Sequence, residues 1–248
     1  MVFGGKVLYL KPIENPLKSF KYWAAEHVHK RHTDKHVVVL SCGNAAIAYS
    51  KFFGDKCHVI LTENNQDVIT EIVSNGSNYY IYYGDRVLST DDIKEMAVKY
   101  MGAPEDVIDV TPRPYGPGHT AYITFFADLF KNDSIKTIIV PVGSGELISA
   151  LHEYHLSYRG RRVNIVAVKP CKRDSVAKAV AGYWNMDFIY KIIEEMDATM
   201  ILLNEGSIKY YMNIHKEYDP AVVACQYVAD AYRLELPAVF VTGIRRSE

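Results

Sequence analysis

The sequence predicts an α/β protein built on mostly parallel sheets, and three observations carry that prediction. Short apolar runs rich in valine and isoleucine recur along the chain. Segments of helical periodicity alternate with them. Most of the runs are apolar on both faces, the pattern of strands covered by helices on either side. Repeated strand–helix units imply right-handed crossovers and an open sheet.

In order, the predicted strands are Val7–Leu10, His36–Leu40, His58–Thr62, Tyr79–Tyr83, Thr137–Val140, Asn164–Val168, Met200–Leu203 and Ala238–Thr242. The predicted helices are Ser19–His29, Asn44–Phe53, Gln66–Val73, Thr90–Met101, His119–Phe130, Leu147–Tyr154, Ser175–Tyr183, Ile208–Lys216 and Pro220–Leu234. Asp91 and Asp92 place negative charge at the start of one helix, where the macrodipole favours it. Pro220 suits a first helical turn, with Asp219 as its cap. The stretch Val110–Gly118 holds three prolines and two glycines in nine residues, so it is neither a central strand nor a helix interior. It reads as a crossing between lobes.

Bulk properties narrow the function. The chain has 248 residues, 49% apolar and 23% charged, as in soluble globular proteins. A net charge of -1 gives no global attraction to nucleic acid or to an anionic membrane, and neither partner is expected. No apolar run approaches the roughly 18 residues that span a bilayer. The N-terminus reads as a first strand and not as a signal peptide. Cys42, Cys57, Cys171 and Cys225 are scattered, which fits free thiols in a reducing, cytoplasmic compartment. His27, His29, His32 and His36 lie among Lys30, Arg31 and Lys35, and they read as a cationic helix C-terminus; no metal is expected. Tyr79, Tyr80, Tyr82 and Tyr83 read as core packing.

Three loops carry the chemistry. Lys21 closes the run Glu14-Asn15-Pro16-Leu17-Lys18-Ser19-Phe20-Lys21, between a strand and an alanine-containing helix. A lysine at a helix start has the positive dipole end beside it, which favours the neutral amine. Ser41-Cys42-Gly43-Asn44 follows a strand and opens a helix, so its amides suit a carboxylate. An ordinary capping turn with Ser41 or Asn44 as N-cap is the plainer reading of that loop alone. Val142-Gly143-Ser144-Gly145 also joins a strand to a helix, and its amides suit a phosphate. Tyr115 and His119, in the Pro/Gly-rich crossing, are weaker candidates for the same region.

Together these loops resemble a known family. Asn15-Pro16-x-x-Ser19-Phe20-Lys21 resembles the N-P-T-G-S-F-K signature of fold-type II pyridoxal phosphate enzymes, the tryptophan synthase β-like superfamily. Ser41-x-Gly43-Asn44-Ala45-Ala46 resembles that superfamily's S-S-G-N-x-A substrate loop, and Pro141–Gly145 its P-V-G-x-G phosphate loop. Val239-Phe240-Val241-Thr242-Gly243 is similar to the V-x-V-T-G segment of threonine synthases, the branch the chain resembles most.

The resemblance implies two three-layer α/β lobes with pyridoxal 5'-phosphate between them. Residues 1–34 and 112–248 would form the larger, cofactor-binding lobe, and 35–111 the smaller, mobile one. Lys21 would be the Schiff-base lysine and the proton shuttle. Asn44 would contact the phenolic oxygen. Val142, Gly143, Ser144 and Gly145 would hold the phosphate, and Thr242 would face the pyridine nitrogen. Ser19, Ser41, Cys42, Gly43, Asn44 and Ala45 would bind a small amino-acid substrate. The implied activity is threonine-synthase-like conversion of O-phosphohomoserine in a homodimer. The alternatives are a threonine/serine dehydratase-like or cysteine synthase-like lyase, and a non-catalytic homologue that keeps the fold. Four departures bear on the choice. Leu17-Lys18 replaces threonine–glycine, and Glu146 adjoins the phosphate loop. The sequence also starts just before the lysine motif, and it stops five residues after Gly243. Lys18 and Arg113 are the cations available to a phosphorylated substrate.

Overall fold

The computed structural model describes residues 2–3, 6–11, 15–17, 19–131, 134–158, 160, 162–171, 175, 186–215, 220–232, 234 and 238–241. Lys18, Asp219, Thr242, Gly243 and all but Ser175 of the helix expected over Ser175–Tyr183 lie outside them. The chain divides into two compact units. The larger comprises residues 1–20, 113–115 and 119–247, and the smaller residues 21–112 and 116–118.

The larger unit is built on a six-stranded sheet. Its strands are β1 (Val2–Phe3), β2 (Lys6–Lys11), β7 (Thr137–Pro141), β8 (Asn164–Pro170), β9 (Thr199–Leu203) and β10 (Ala238–Val241), in the spatial order β1-β2-β10-β7-β8-β9. Only β1–β2 is antiparallel among these pairs. The helices are α5 (Thr120–Lys131), α6 (Glu146–Ser157), α7 (Met186–Glu195), α8 (Glu205–Ile214) and α9 (Pro220–Ala231). One face of the sheet gives Ile139, Val166, Val168, Ile201 and Leu203 to a core shared with Ile208 of α8 and with Ala221, Val222, Ala224, Cys225, Val228 and Ala229 of α9. The alternate residues Ile138, Val140, Ile165 and Ala167 are buried too, so both faces are covered. α6 packs on β7, α5 and α7.

The smaller unit repeats the plan with four parallel strands. They are β3 (Val37–Leu40), β4 (Cys57–Leu61), β5 (Asn78–Ile81) and β6 (Ile108–Asp109), in the order β5-β4-β3-β6. Helices α1 (Lys21–Arg31), α2 (Asn44–Phe53), α3 (Gln66–Ser74) and α4 (Thr90–Met101) belong to it. α1, which the sequence reading grouped with the larger lobe, joins this unit through its packing on α2. Tyr22 meets Phe52 edge-on, and His29 meets Phe52 and Phe53. His29, Lys30 and Arg31 form the last turn of α1, where cations suit the dipole. α4 begins with a capping box: Ser89 accepts from the Asp92 amide, and Asp92 accepts from the Ser89 amide.

The sequence reading assigned neither β1, β6 nor α7. The first two are two residues long, too short for a periodicity. α7 buries Ile189, Ile192 and Ile193, a spacing of three and four that is legible in the sequence. The tyrosines of β5 are a correction. β5 is an edge strand, Tyr79 is 41% exposed and Tyr83, just beyond it, 79%. Tyr80 stacks on half-exposed Tyr100 at 4.7 Å. These rings cover a surface and do not fill a core.

A pair of histidines, one of them buried, marks the smaller sheet. His58 of β4 is 2% exposed, and its Nε2 lies 3.0 Å from Nδ1 of His36. Burial first, and then the His36 charge, push its pKa down to about 4. Nδ1 of His58 is buried without a hydrogen-bond partner, so a proton added there would find no acceptor. In the unfolded chain the same ring titrates near the usual 6.5. The unfolded state therefore takes up the proton first as pH falls from 6.5 towards 4, and stability is lost across that window. The loss amounts to roughly 2.5 kcal/mol by pH 4.5. In urea unfolding, wild type should lose about that much more stability between about pH 7 and 4.5 than His58→Gln does. Parallel losses would show that the pair is not the acid-sensitive element.

Candidate active site

Each site loop is described within its own unit. In the larger unit, Asn15 organises the approach to Lys21. Its Oδ1 accepts from the amides of Leu17 (3.1 Å) and Ser19 (3.3 Å), and its Nδ2 donates to the Ser19 carbonyl at 2.9 Å. An asparagine side chain thus takes the place of backbone pairing in a loop that Pro16 interrupts. Ser19 is buried, and half-buried Lys21 is the first residue of α1.

In the smaller unit, the Ser41–Asn44 loop sits at the carboxyl end of β3. The Ser41 amide donates to the Ile60 carbonyl at 3.0 Å, and the Leu40 amide donates to Thr111 Oγ1 at 2.9 Å. Thr111 is oriented in turn, because its amide donates to Asp109 Oδ1 at 2.8 Å. The N-cap of α2 is Gly43, not Ser41 or Asn44, and no side chain caps the helix. A Cβ at Gly43 would meet nothing within 4 Å, so the space before these amides is open. Asn44 and Ala45 begin the helix, Asn44 half-buried and Ala45 buried. Cys42 Sγ accepts from the Thr62 amide at 3.0 Å and lies 3.0 Å from Thr62 Oγ1, which ties the loop to the end of β4.

Back in the larger unit, Val142 to Gly145 follows β7. The Val142 amide donates to the Val168 carbonyl at 2.8 Å, so the sheet pairing runs on into the turn. Val142, Gly143 and Gly145 are buried, and Ser144 is half-buried. Gly145 is the N-cap of α6 with φ 86, a left-handed conformation suited to glycine, and α6 has no side-chain cap either. A Cβ there would stand 2.7 Å from Pro114 Cγ and 3.3 Å from Ile189 Cδ1. The carboxylate-bearing Glu146 beside the turn is fully buried as the first residue of α6.

The helices α3, α4 and α8 start differently. Asn65, Ser89 and Asn204 each accept a hydrogen bond from an amide of the first turn. The helix starts after Ser41-Cys42-Gly43 and Val142-Gly143-Ser144-Gly145 replace the capping side chain with glycine, which leaves an anion able to approach.

Sequence reasoning did not single out Thr111, Pro114 or Lys169. Thr111 and Pro114 belong to the proline-rich crossing, whose composition was a signal without a direction. Lys169 is fully buried near the carboxyl end of β8, and burial pushes its pKa down to about 8. A lysine closing the apolar run Ile165–Val168 was its sequence signal.

Two compact α/β units with glycine-started helices at the carboxyl ends of parallel strands define the type of protein that receives anionic ligands on backbone amides. The sequence profile described as "Pyridoxal-phosphate dependent enzyme" matches residues 4–222, and the chain belongs to that family. No curated protein sequence matches it significantly. Among solved structures, the processed form of threonine deaminase isoform 2 from Solanum lycopersicum superposes with a TM-score of 0.75 at 16% identity, over 97% of this chain and 75% of that one. Maize serine racemase gives 0.76 at 17% identity, over 96% and 83%. The O-acetylserine dependent cystathionine beta-synthase of Helicobacter pylori gives 0.75 at 13% identity, over 96% and 88%. At these identities the likeness is one of fold, that of the fold-type II enzymes.

The two glycines should respond differently to alanine. Gly145→Ala places a side chain at φ 86 and against Pro114, so thermal unfolding should show a loss of at least roughly 1–2 kcal/mol. Gly43→Ala, with φ -156 and open space ahead, should stay within roughly 0.5 kcal/mol of wild type. Equal effects would contradict the conformations assigned to the two turns.

Proposed function

We propose that this pyridoxal phosphate-dependent enzyme acts on a small amino acid, with Lys21 as the lysine that carries the cofactor and moves the substrate's α-proton. The observation that carries this reading is the pair of glycine-capped helix starts, α2 and α6, each following a strand of a parallel sheet and each lacking a side-chain cap. Backbone amides of that kind hold a carboxylate or a phosphate without a competing side chain. The larger turn fits a phosphate monoester: Gly143 to Gly145 offer successive amides, and half-buried Ser144 offers a hydroxyl. Gly43 and the amides that follow it fit an amino acid's carboxylate, and by the family resemblance Ser19, Ser41, Cys42 and Ala45 would serve the substrate. By the resemblance, Asn44 would take the cofactor's phenolic oxygen and Thr242, a neutral hydroxyl, would serve its pyridine nitrogen.

When bound, pyridoxal phosphate supplies an electron sink conjugated to the substrate's Cα. The chain's own contribution is to hold the carboxylate, remove the α-proton through Lys21 and let a β or γ substituent leave. The version we favour is threonine-synthase-like conversion of O-phosphohomoserine, in a cytoplasmic homodimer. It rests on the Val239-Phe240-Val241-Thr242-Gly243 segment. A dehydratase-like or cysteine synthase-like lyase is the second reading. The names of the superposed threonine deaminase and serine racemase support a small hydroxy amino acid as its substrate.

The test is an absorption spectrum of purified protein with added pyridoxal phosphate, before and after borohydride, beside Lys21→Ala. A visible band that borohydride fixes covalently to Lys21, and that the variant lacks, is the expected result. Product analysis with O-phosphohomoserine, threonine and serine then separates the two readings. The same band in Lys21→Ala would overturn the assignment of Lys21. No band in wild type would favour a homologue that keeps the fold without the chemistry.

A further inference from the structure

Beside the α6 start, the larger unit contains a chain of side-chain contacts that neither the cofactor nor the substrate reading uses. Tyr115 has φ 51, a left-handed backbone that a bulky residue adopts only at a cost. Three contacts hold it there. Its amide donates to Ser149 Oγ at 3.0 Å. Its hydroxyl lies 2.5 Å from Nδ1 of His152, a ring that is 5% exposed. Its own ring stands edge-on to His119, His152 and Phe188. Nε2 of His152 is 2.9 Å from Oε2 of Glu195, without the alignment of a hydrogen bond.

The preceding residue meets the anion turn directly. Pro114 is so close to Gly145 that a Cβ there would lie 2.7 Å from its Cγ. The contacts of Pro114 and Tyr115 therefore fall on residues 145, 149 and 152, a spacing of four and three that traces one face of α6. That face runs from the glycine that shapes the turn into the third turn of the helix. Ser149 also donates to the Glu146 carbonyl at 2.9 Å, which joins the middle contact to the first turn.

We propose that Tyr115 is a positioning residue for the anion-binding turn, acting through Pro114 on Gly145 and braced by His152. The proposal rests on the reading of Val142–Gly145 as the phosphate cradle. A turn that must present several amides to one phosphate loses affinity when its conformation is no longer fixed. Held on α6 by Ser149 and His152, Tyr115 keeps Pro114 against Gly145. The hydroxyl is the removable part, because phenylalanine keeps the ring contacts and the volume.

The experiment compares pyridoxal phosphate with pyridoxal, which has the same aldehyde but no phosphate, by titration of the visible band. Wild type, Tyr115→Phe, His152→Leu and His152→Asn are measured, with thermal unfolding of each. Asparagine places an acceptor where Nδ1 of the histidine stands, and leucine does not. Tyr115→Phe and His152→Leu should bind pyridoxal phosphate three- to tenfold more weakly, with pyridoxal affinity within twofold of wild type. His152→Asn should restore most of the phosphate preference. Unchanged pyridoxal phosphate affinity in Tyr115→Phe, or an equal loss for both ligands, would overturn the positioning role while leaving the cofactor assignment intact. A wild type without any band would instead remove the cofactor reading, and this proposal with it.

Discussion

The parallel pairing of strands is the constraint on which the rest of this structure depends. A parallel strand cannot be followed by a hairpin, so the chain crosses back over the sheet before the next strand begins. Where helices make those returns, their N-termini gather at the carboxyl edge of the sheet, with their amides pointing outward. β3 leads into α2 and β7 into α6 in this way. A ligand-receptive edge is thus a consequence of the topology, before any particular side chain is considered. The loops then decide which of those helix starts is closed and which is kept open.

That decision is visible in the caps. Asn65, Ser89 and Asn204 close the starts of α3, α4 and α8 with their own oxygen atoms. Gly43 and Gly145 do not, although a Ser, Thr, Asp or Asn in their place would be worth roughly a few tenths of a kcal/mol to the helix. At Gly145 the exchange is further constrained by φ 86 and by Pro114. Glycine there costs helix stability and leaves donors for a ligand, a trade that makes sense in a protein whose stability includes its cofactor. Departures from local propensity of this kind fall at functional positions more often than elsewhere.

Much of this was legible in the residues. The strands of the two sheet centres, such as Val37–Leu40 and Thr137–Pro141, are apolar on both faces and announce themselves. The glycines after them mark the turns, and the order of the three loops points to the family. What was not legible arises from contacts distant in sequence. Nothing near Tyr115 reveals that its hydroxyl meets His152, or that Pro114 lies against Gly145, because both depend on how α6 packs. The tyrosines of β5 misled for the opposite reason. Aromatic residues on a strand suit a core and an exposed edge equally, and only the strand order distinguishes the two. Likewise α1 carries the signature lysine at its first residue, yet its aromatic contacts with α2 place it in the smaller unit.

The strand order of the larger sheet has a consequence for synthesis on the ribosome. β10, the last of the described strands, lies between β2 and β7 and pairs with both. Until residues 238–241 have been made, the early strand β2 has no parallel neighbour in that sheet. The smaller unit, by contrast, is drawn from residues 21–118 and contains all of its own strands. It can acquire its fold while the rest of the chain is still emerging, whereas the larger unit must wait until β10 has been made. Loss of β10 therefore deprives the nascent chain of the strand that joins β2 to the rest of the larger sheet.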